Sequence, residues 1–190
     1  MTADPAEDLT GRLLVATPAL GDPNFARAVV LVLDHDEDGT LGVVVNRPTT
    51  VDVAEVLPTW RPLTTAPGVL FHGGPVAADS ALGLAAVPAD EDGEPLGWRR
   101  VSGGMGLVDL DAPPEVLAAE LLHLRIFAGY AGWGAGQLAG ELAEGAWYVV
   151  PAESRDAFTD QPGLLWREVL RRQGGELAMV STYPEDPSLN

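Results

Sequence analysis

The sequence has no cysteine and no lysine. Without a thiol, disulfides, thiolate-bound zinc, iron–sulfur ligation and cysteine nucleophiles are excluded. Without an ε-ammonium, so are Schiff-base chemistry and the phosphate-binding lysine of a Walker loop. All eleven basic side chains are arginines, set against twenty-eight acids, and the formal net charge is −17. Nucleic-acid binding draws much of its affinity from basic groups that release counterions, so this balance disfavours direct contact with DNA or RNA. It reads first as solubility and mutual repulsion. No apolar run approaches the ~18–20 residues that cross a bilayer, and "MTADPAEDLT" lacks the basic and apolar regions of a signal peptide. A cytoplasmic protein without a membrane partner is expected. Only His35, His72 and His123 remain as imidazoles, and no G-x-S-x-G elbow offers them a nucleophile.

What is present describes one globular domain. A chain of 190 residues with 46% hydrophobic content buries roughly 70% of its surface on folding. Residues 1–11 read as a disordered acidic tail and 12–190 as the domain. The β-branched runs "AVVLVLDHD" and "LGVVVNRP" flank "EDGT" and predict an antiparallel hairpin, with Pro48 ending its second strand. "GRLLVATPAL" and "GVLFHGGPV" are short apolar runs, and further strands are expected in "SALGLAAVP", "RIFAGY" and "AWYVVPA". A short helix is predicted over "VDVAEVLPTW", capped by Asp52. Another follows the proline-led "LDAPPEVLAAELLHL", where Val116, Leu117, Leu121 and Leu124 keep helical spacing. "QLAGELAEG" and "GLLWREVLRRQG" complete the helices. The fold class is α/β with α+β character: a mixed sheet with an early hairpin and helices packed on its faces.

Four stretches could carry chemistry. In "FAGYAGWGAGQLAGEL", Gly134, Gly136 and Ala139 fit a relaxed dinucleotide fingerprint, with Glu153 near the place of a ribose-binding acid. The glycines equally suit a tight corner packed by Phe127, Tyr130 and Trp133. "DHDEDG" opens like a calcium loop, yet the closing acid falls on Val45, so a solvated hairpin turn is the better reading. His72 beside Gly73 and Gly74 could serve as a base near an oxyanion hole, or simply mark a turn. Asn46 and Arg47 leave a strand end, where Arg47 could grip a carboxylate or phosphate; Asn46 could instead satisfy turn backbone.

Taken in order, "DPNFARAVVLVLDH", "GTLGVVVNRP", "FHGGPV", "GYAGWGAGQL" and the terminal "PSLN" resemble the AlgH/YqgE family of bacterial proteins from about residue 12 to the end. The resemblance implies a single α/β domain with a mixed sheet. It also implies a regulatory role, since members are often labelled transcriptional regulators. It brings no catalytic residue, metal or cofactor. The positions matching its motifs are His35, Asn46, Arg47, Gly73, Gly74, Tyr130, Trp133 and Gln137, which form the candidate functional surface. The expectation is a non-enzymatic protein that binds a protein or small-molecule ligand. The alternatives are an enzyme using His72, Asn46 and Arg47, or a nucleotide site at the 129–139 corner.

Overall fold

The computed structural model describes residues 7–88 and 93–186. Ten strands form the framework: β1 (Leu13–Ala16), β2 (Val29–Asp36), β3 (Gly39–Val44), β4 (Pro48–Asp52), β5 (Val69–His72), β6 (Val76–Ala86), β7 (Trp98–Ser102), β8 (Met105–Val108), β9 (His123–Gly134) and β10 (Trp147–Val150). Three helices accompany them: α1 (Gln137–Ala143), α2 (Leu165–Gln173) and α3 (Gly175–Val180). The sheet runs β10-β1-β2-β3-β9-β6-β8-β7, and β4 joins through β5, which pairs with β9. Every pairing is antiparallel except β5 with β9, so the expected mixed sheet rests on that one parallel contact. The architecture is mostly β with few helices, and α+β describes it better than α/β.

The strands β1 and β2 are apolar on both faces because both faces are covered. Leu13, Val15, Val29 and Leu31 point into a core that also holds Leu165, Trp166, Val169 and Leu170 of α2. Leu14, Ala16, Val30 and Val32 point the other way, toward Trp133, Trp147 and Leu138 of α1. Strands from β1 to β10 contribute to the first core, so the sheet curls around α2. A third cluster, with Trp60, Trp98, Leu117 and Ile126, lies beneath the 3-10 turns of the 53–63 segment.

The spine is β9. Its first part pairs with β6 and β5; its last four residues pair with β3, Gly39 opposite Gly134 and Thr40 opposite Trp133. The change of partner occurs at Gly129, at φ +74°, where a Cβ would lie 2.5 Å from the Gly74 carbonyl oxygen. A Cβ on Gly74 would in turn meet the backbone of Tyr130 at 2.2 Å. Two backbones cross here at a separation that only glycine allows.

Several sequence expectations need correction. The helix expected near residues 111–124 is a single 3-10 turn, Pro114–Val116, followed by turns that lead into β9. Sheet pairing captures the end of that segment: the Leu122 amide donates to the Ala86 carbonyl at 2.8 Å. Leu117 and Leu124 are buried while Val116 and Leu122 are exposed, so the apparent helical stripe is divided between a loop and a strand, and tertiary context overrides propensity. Over residues 52–60 only Val53–Glu55 turn, as a 3-10 helix, though Asp52 caps it with a full capping box. The strand expected to end near Tyr130 continues to Gly134, and Pro48 begins β4, the preceding strand having ended at Val44. The expected hairpin is β2–β3. Of the expected tail, residues 1–6 lie outside the described residues; Leu9 is already buried, and the Gly11 amide donates to Val32. Residues 89–92 and the terminal "PSLN" also lie outside.

Candidate functional site

The eight residues proposed from sequence fall along one connected region, and most of their polar atoms are already spent. Asn46 follows β3 and behaves as a substitute strand partner. Its Oδ1 accepts from the Val29 amide at 3.0 Å and its Nδ2 donates to the Arg27 carbonyl at 2.9 Å. Arg47 donates to the carbonyls of Pro23, Asn24 and Ala26 at 3.1, 2.5 and 2.7 Å. Its guanidinium organises the 22–28 loop, and burial pulls its pKa down.

That loop delivers Phe25 to the indoles of Trp133 and Trp147, at ring separations of 6.1 and 5.6 Å; the indoles themselves lie 5.9 Å apart. Both indole N–H groups donate to one oxygen, Glu141 Oε2, each at 2.8 Å. Gln137 Oε1 accepts from the Gly134 amide at 3.0 Å. Trp133 is 5% exposed, which makes it a core residue and not a wall of an open cleft. Gly73 sits between strands, donating to Ala128 and accepting from Val44. Gly74 and Tyr130 meet at the backbone crossing. His35 stands at the far end of the hairpin with Nδ1 2.7 Å from Thr40 Oγ1.

The glycine corner is likewise closed on itself. Gly132 and Gly134 belong to β9, and Gly136 (φ +75°) is the N-cap of a helix of only seven residues. The Gly134 amide that a phosphate would need is held by Gln137, and Glu153 pairs with Arg155 at 2.6 Å. In the calcium-like turn, Asp36 Oδ1 accepts from the amides of Asp38 and Gly39. Among the described residues no group of three or more His, Asp or Glu is placed to hold a metal.

The substantial concavity lies elsewhere. An open groove of about 780 Å³ runs between α2, the start of β9 and the 155–161 loop, and none of the eight residues lines it. Arg125 stands behind its walls. This side chain is 1% exposed, and it donates to the carbonyls of Ala66, Ala157 and Thr159 at 2.7, 3.0 and 2.9 Å. It also lies over the Phe71 ring at 4.3 Å. No carboxylate among the described residues pairs with it directly, and burial pushes its pKa down to about 10, against the opposing pull of Asp160. The guanidinium therefore ties both walls together and leaves a buried positive charge behind them. Asp156, also buried, takes a bidentate grip from Arg172 at 2.6 and 2.7 Å. That pairing raises the pKa of Arg172.

His123, exposed on the groove, stacks on Phe158 with 5.3 Å between centroids and 17° between planes. Its Nδ1 is 3.3 Å from Thr65 Oγ1, which already accepts from the Leu124 amide at 3.1 Å. The Thr65 hydroxyl thus links the imidazole to the Leu124 amide. His123, expected on a helix, opens β9 instead, and the arginines near it stand outside every motif. The usable signal was their density: Arg155, Arg167, Arg171 and Arg172 fall in one short stretch of a strongly acidic chain.

Comparison with known proteins addresses this geometry as a whole. A family model described as AlgH-like matches residues 13–178. The chain belongs to the AlgH-like family. It is 69% identical over 184 residues to a UPF0301 protein of Streptomyces avermitilis, covering 96% of this chain and 95% of that one. A UPF0301 protein of Thermobifida fusca is 54% identical over 191 residues, with 96% of each chain covered. Among solved structures, protein DIP2367 of Corynebacterium diphtheriae superimposes with a TM-score of 0.85 at 35% identity, over 92% of both chains. The AlgH protein of Pseudomonas aeruginosa gives 0.70 at 29% identity, over 97% of this chain and 98% of its own. The AlgH-like assignment thus covers sequence and fold together.

Proposed function

We propose that this AlgH-like protein is a non-catalytic binding protein, that its ligand occupies the α2 groove, and that any regulatory role runs through that ligand or a protein partner and not through DNA. The carrying observation is where polar groups remain unspent. Asn46 and Arg47 are held by the protein's own backbone, and Gln137 by the Gly134 amide and, at 3.5 Å, by Glu141. In the groove, by contrast, the side chains of Arg171, Glu168, Asp160 and Gln161 make no hydrogen bond or ion pair among the described residues. Concave sites with a few convergent polar groups are the usual form of a ligand site. The net charge of −17 speaks against a phosphate backbone as partner. A cytoplasmic setting is part of the proposal; no helix among the described residues is long and apolar enough to cross a membrane.

The alternative enzyme at His72, Asn46 and Arg47 has less support, because two of its three side chains hold the 22–28 loop and Arg27. The test is a thermal-shift screen of small metabolites and peptides against the parent and Arg171→Glu. A ligand that raises the Tm of the parent and leaves the variant unmoved is expected. Ligands that stabilise both alike would refute the groove, as would turnover of any substrate abolished by His72→Ala. Sub-micromolar, sequence-selective gel shifts near physiological salt would refute the exclusion of DNA.

A further inference from the structure

Resting on the reading of this groove as the binding site, we infer that its ligand is a zwitterion of the short-peptide class, carboxylate toward Arg171 and His123, ammonium toward Asp160 and Glu168. Pairing separates the lining into two sets. Arg172 is consumed by Asp156, while Arg155 turns its Nε to Glu153 at the exposed rim. What is left carries both signs: Arg171 on one side of the account, Asp160 and Glu168 on the other, with the Gln161 side chain offering a donor and an acceptor. The Nε2 of His123 has no partner among the described residues, and the ring's orientation is held by the Phe158 stack and the Thr65 contact. Behind the walls, Arg125 adds a positive charge that no direct ion pair cancels.

Global charge then selects the ligand class. A net anion approaches a molecule of charge −17 against its field, which penalises phosphates and polycarboxylates even where Arg171 could grip them. A cation gains nothing from Arg171 and Arg125. A ligand with one charge of each sign is neutral at long range and complementary at short range. The groove volume of about 780 Å³ lies in the upper part of the range of roughly 300–1,000 Å³ typical of ligand sites, which suits a peptide of a few residues better than one amino acid. Gln161 can meet a peptide unit between the ends, where both N–H and C=O need partners.

The probe is tri-alanine with free ends, compared with its N-acetylated and C-amidated forms, titrated into the full chain and followed by amide and side-chain NMR. Saturable shifts are expected at Thr65, His123, Gln161 and Arg171 with Kd below about 1 mM. Blocking either end should weaken binding about tenfold, by removing a charge-assisted contact. In Arg171→Gln the free and amidated peptides should bind alike. In Asp160→Asn/Glu168→Gln the free and acetylated peptides should bind alike. All three positions are exposed, and circular dichroism of each variant verifies that it is folded. Groove shifts insensitive to capping would overturn the zwitterion and leave the groove standing as a site. Absence of groove shifts up to about 10 mM would overturn the peptide class; the groove itself falls only if the screen above also yields no Arg171-dependent ligand.

Discussion

Replacing Trp133 with alanine separates a structural reading of the glycine–aromatic corner from a ligand-binding one. The indole is 5% exposed, packs against Phe25 and Trp147, and donates to Glu141. Truncating a buried Trp to Ala costs about 3–5 kcal/mol. The aromatic pairs and a hydrogen bond to a charged acceptor place this site in the upper half of that range. At about 4–5 kcal/mol, and about 2–4 °C per kcal/mol for a chain of this size, the melting temperature should fall by about 8–20 °C. Trp133→Phe keeps a ring against Phe25 but removes the N–H and part of the indole's bulk, while Glu141 Oε2 retains Trp147; it should cost about 2–3 kcal/mol, less than the alanine variant. Urea denaturation followed by the remaining tryptophans measures both variants. A Trp133→Ala protein that melts within about 2 °C of the parent, yet no longer binds a ligand that the parent binds, would refute the structural reading.

Arg125→Leu should destabilise by at least about 3 kcal/mol in denaturant titration, because it strands buried carbonyls at Ala66, Ala157 and Thr159; a neutral result would show that water replaces the guanidinium. Gly129→Ala should cost about 3 kcal/mol or more and Gly136→Ala only about 1–2. Both lie at positive φ, but a Cβ meets backbone atoms at the first and open space at the second, so equal losses of Tm would contradict the crossing of backbones. Asp52 has its pKa lowered by the hydrogen bond from Arg61 and by the Ala54 amide. Its contribution is therefore complete above the ordinary aspartate value of about 3.9 and is lost as pH falls through the lower folded value. Asp52→Asn should be less stable than the parent at pH 7, with the gap closing in acid; a gap that widens in acid would refute the assignment.

Where sequence and structure agree, one face of an element meets one neighbour. The β2–β3 hairpin follows from two β-branched runs around a glycine turn, and α2 follows from Leu165, Val169 and Leu170 on one stripe. Where they part, the deciding contact is distant in sequence. Residues 116–124 carry helical spacing, but the bond from the Leu122 amide to Ala86 draws the chain into the sheet. The groove was illegible for the same reason. Thr65, His123, Phe158 and Arg171 approach only after β9, the 155–161 loop and α2 have assembled, and neither local pattern nor composition encodes that meeting.

The motif segments and the groove answer different requirements. "NRP", "GGPV" and "GYAGWGAG" contain the residue types that a tight crossing demands: glycines where backbones touch, an asparagine in place of a missing strand partner, an arginine gathering three carbonyls. Those requirements are stringent because a buried polar group without a partner costs about 1–3 kcal/mol, so each such residue has little freedom to do anything else. Arg47, with three carbonyls in its grip, can bind an incoming anion only by releasing the Phe25 loop and with it the packing on Trp133. The Arg171 side chain could bind one without such a loss, since it makes no hydrogen bond or ion pair among the described residues. In this chain the conspicuous motifs therefore locate the frame, and the charged side chains without a hydrogen-bond partner lie apart from them, on the proposed groove.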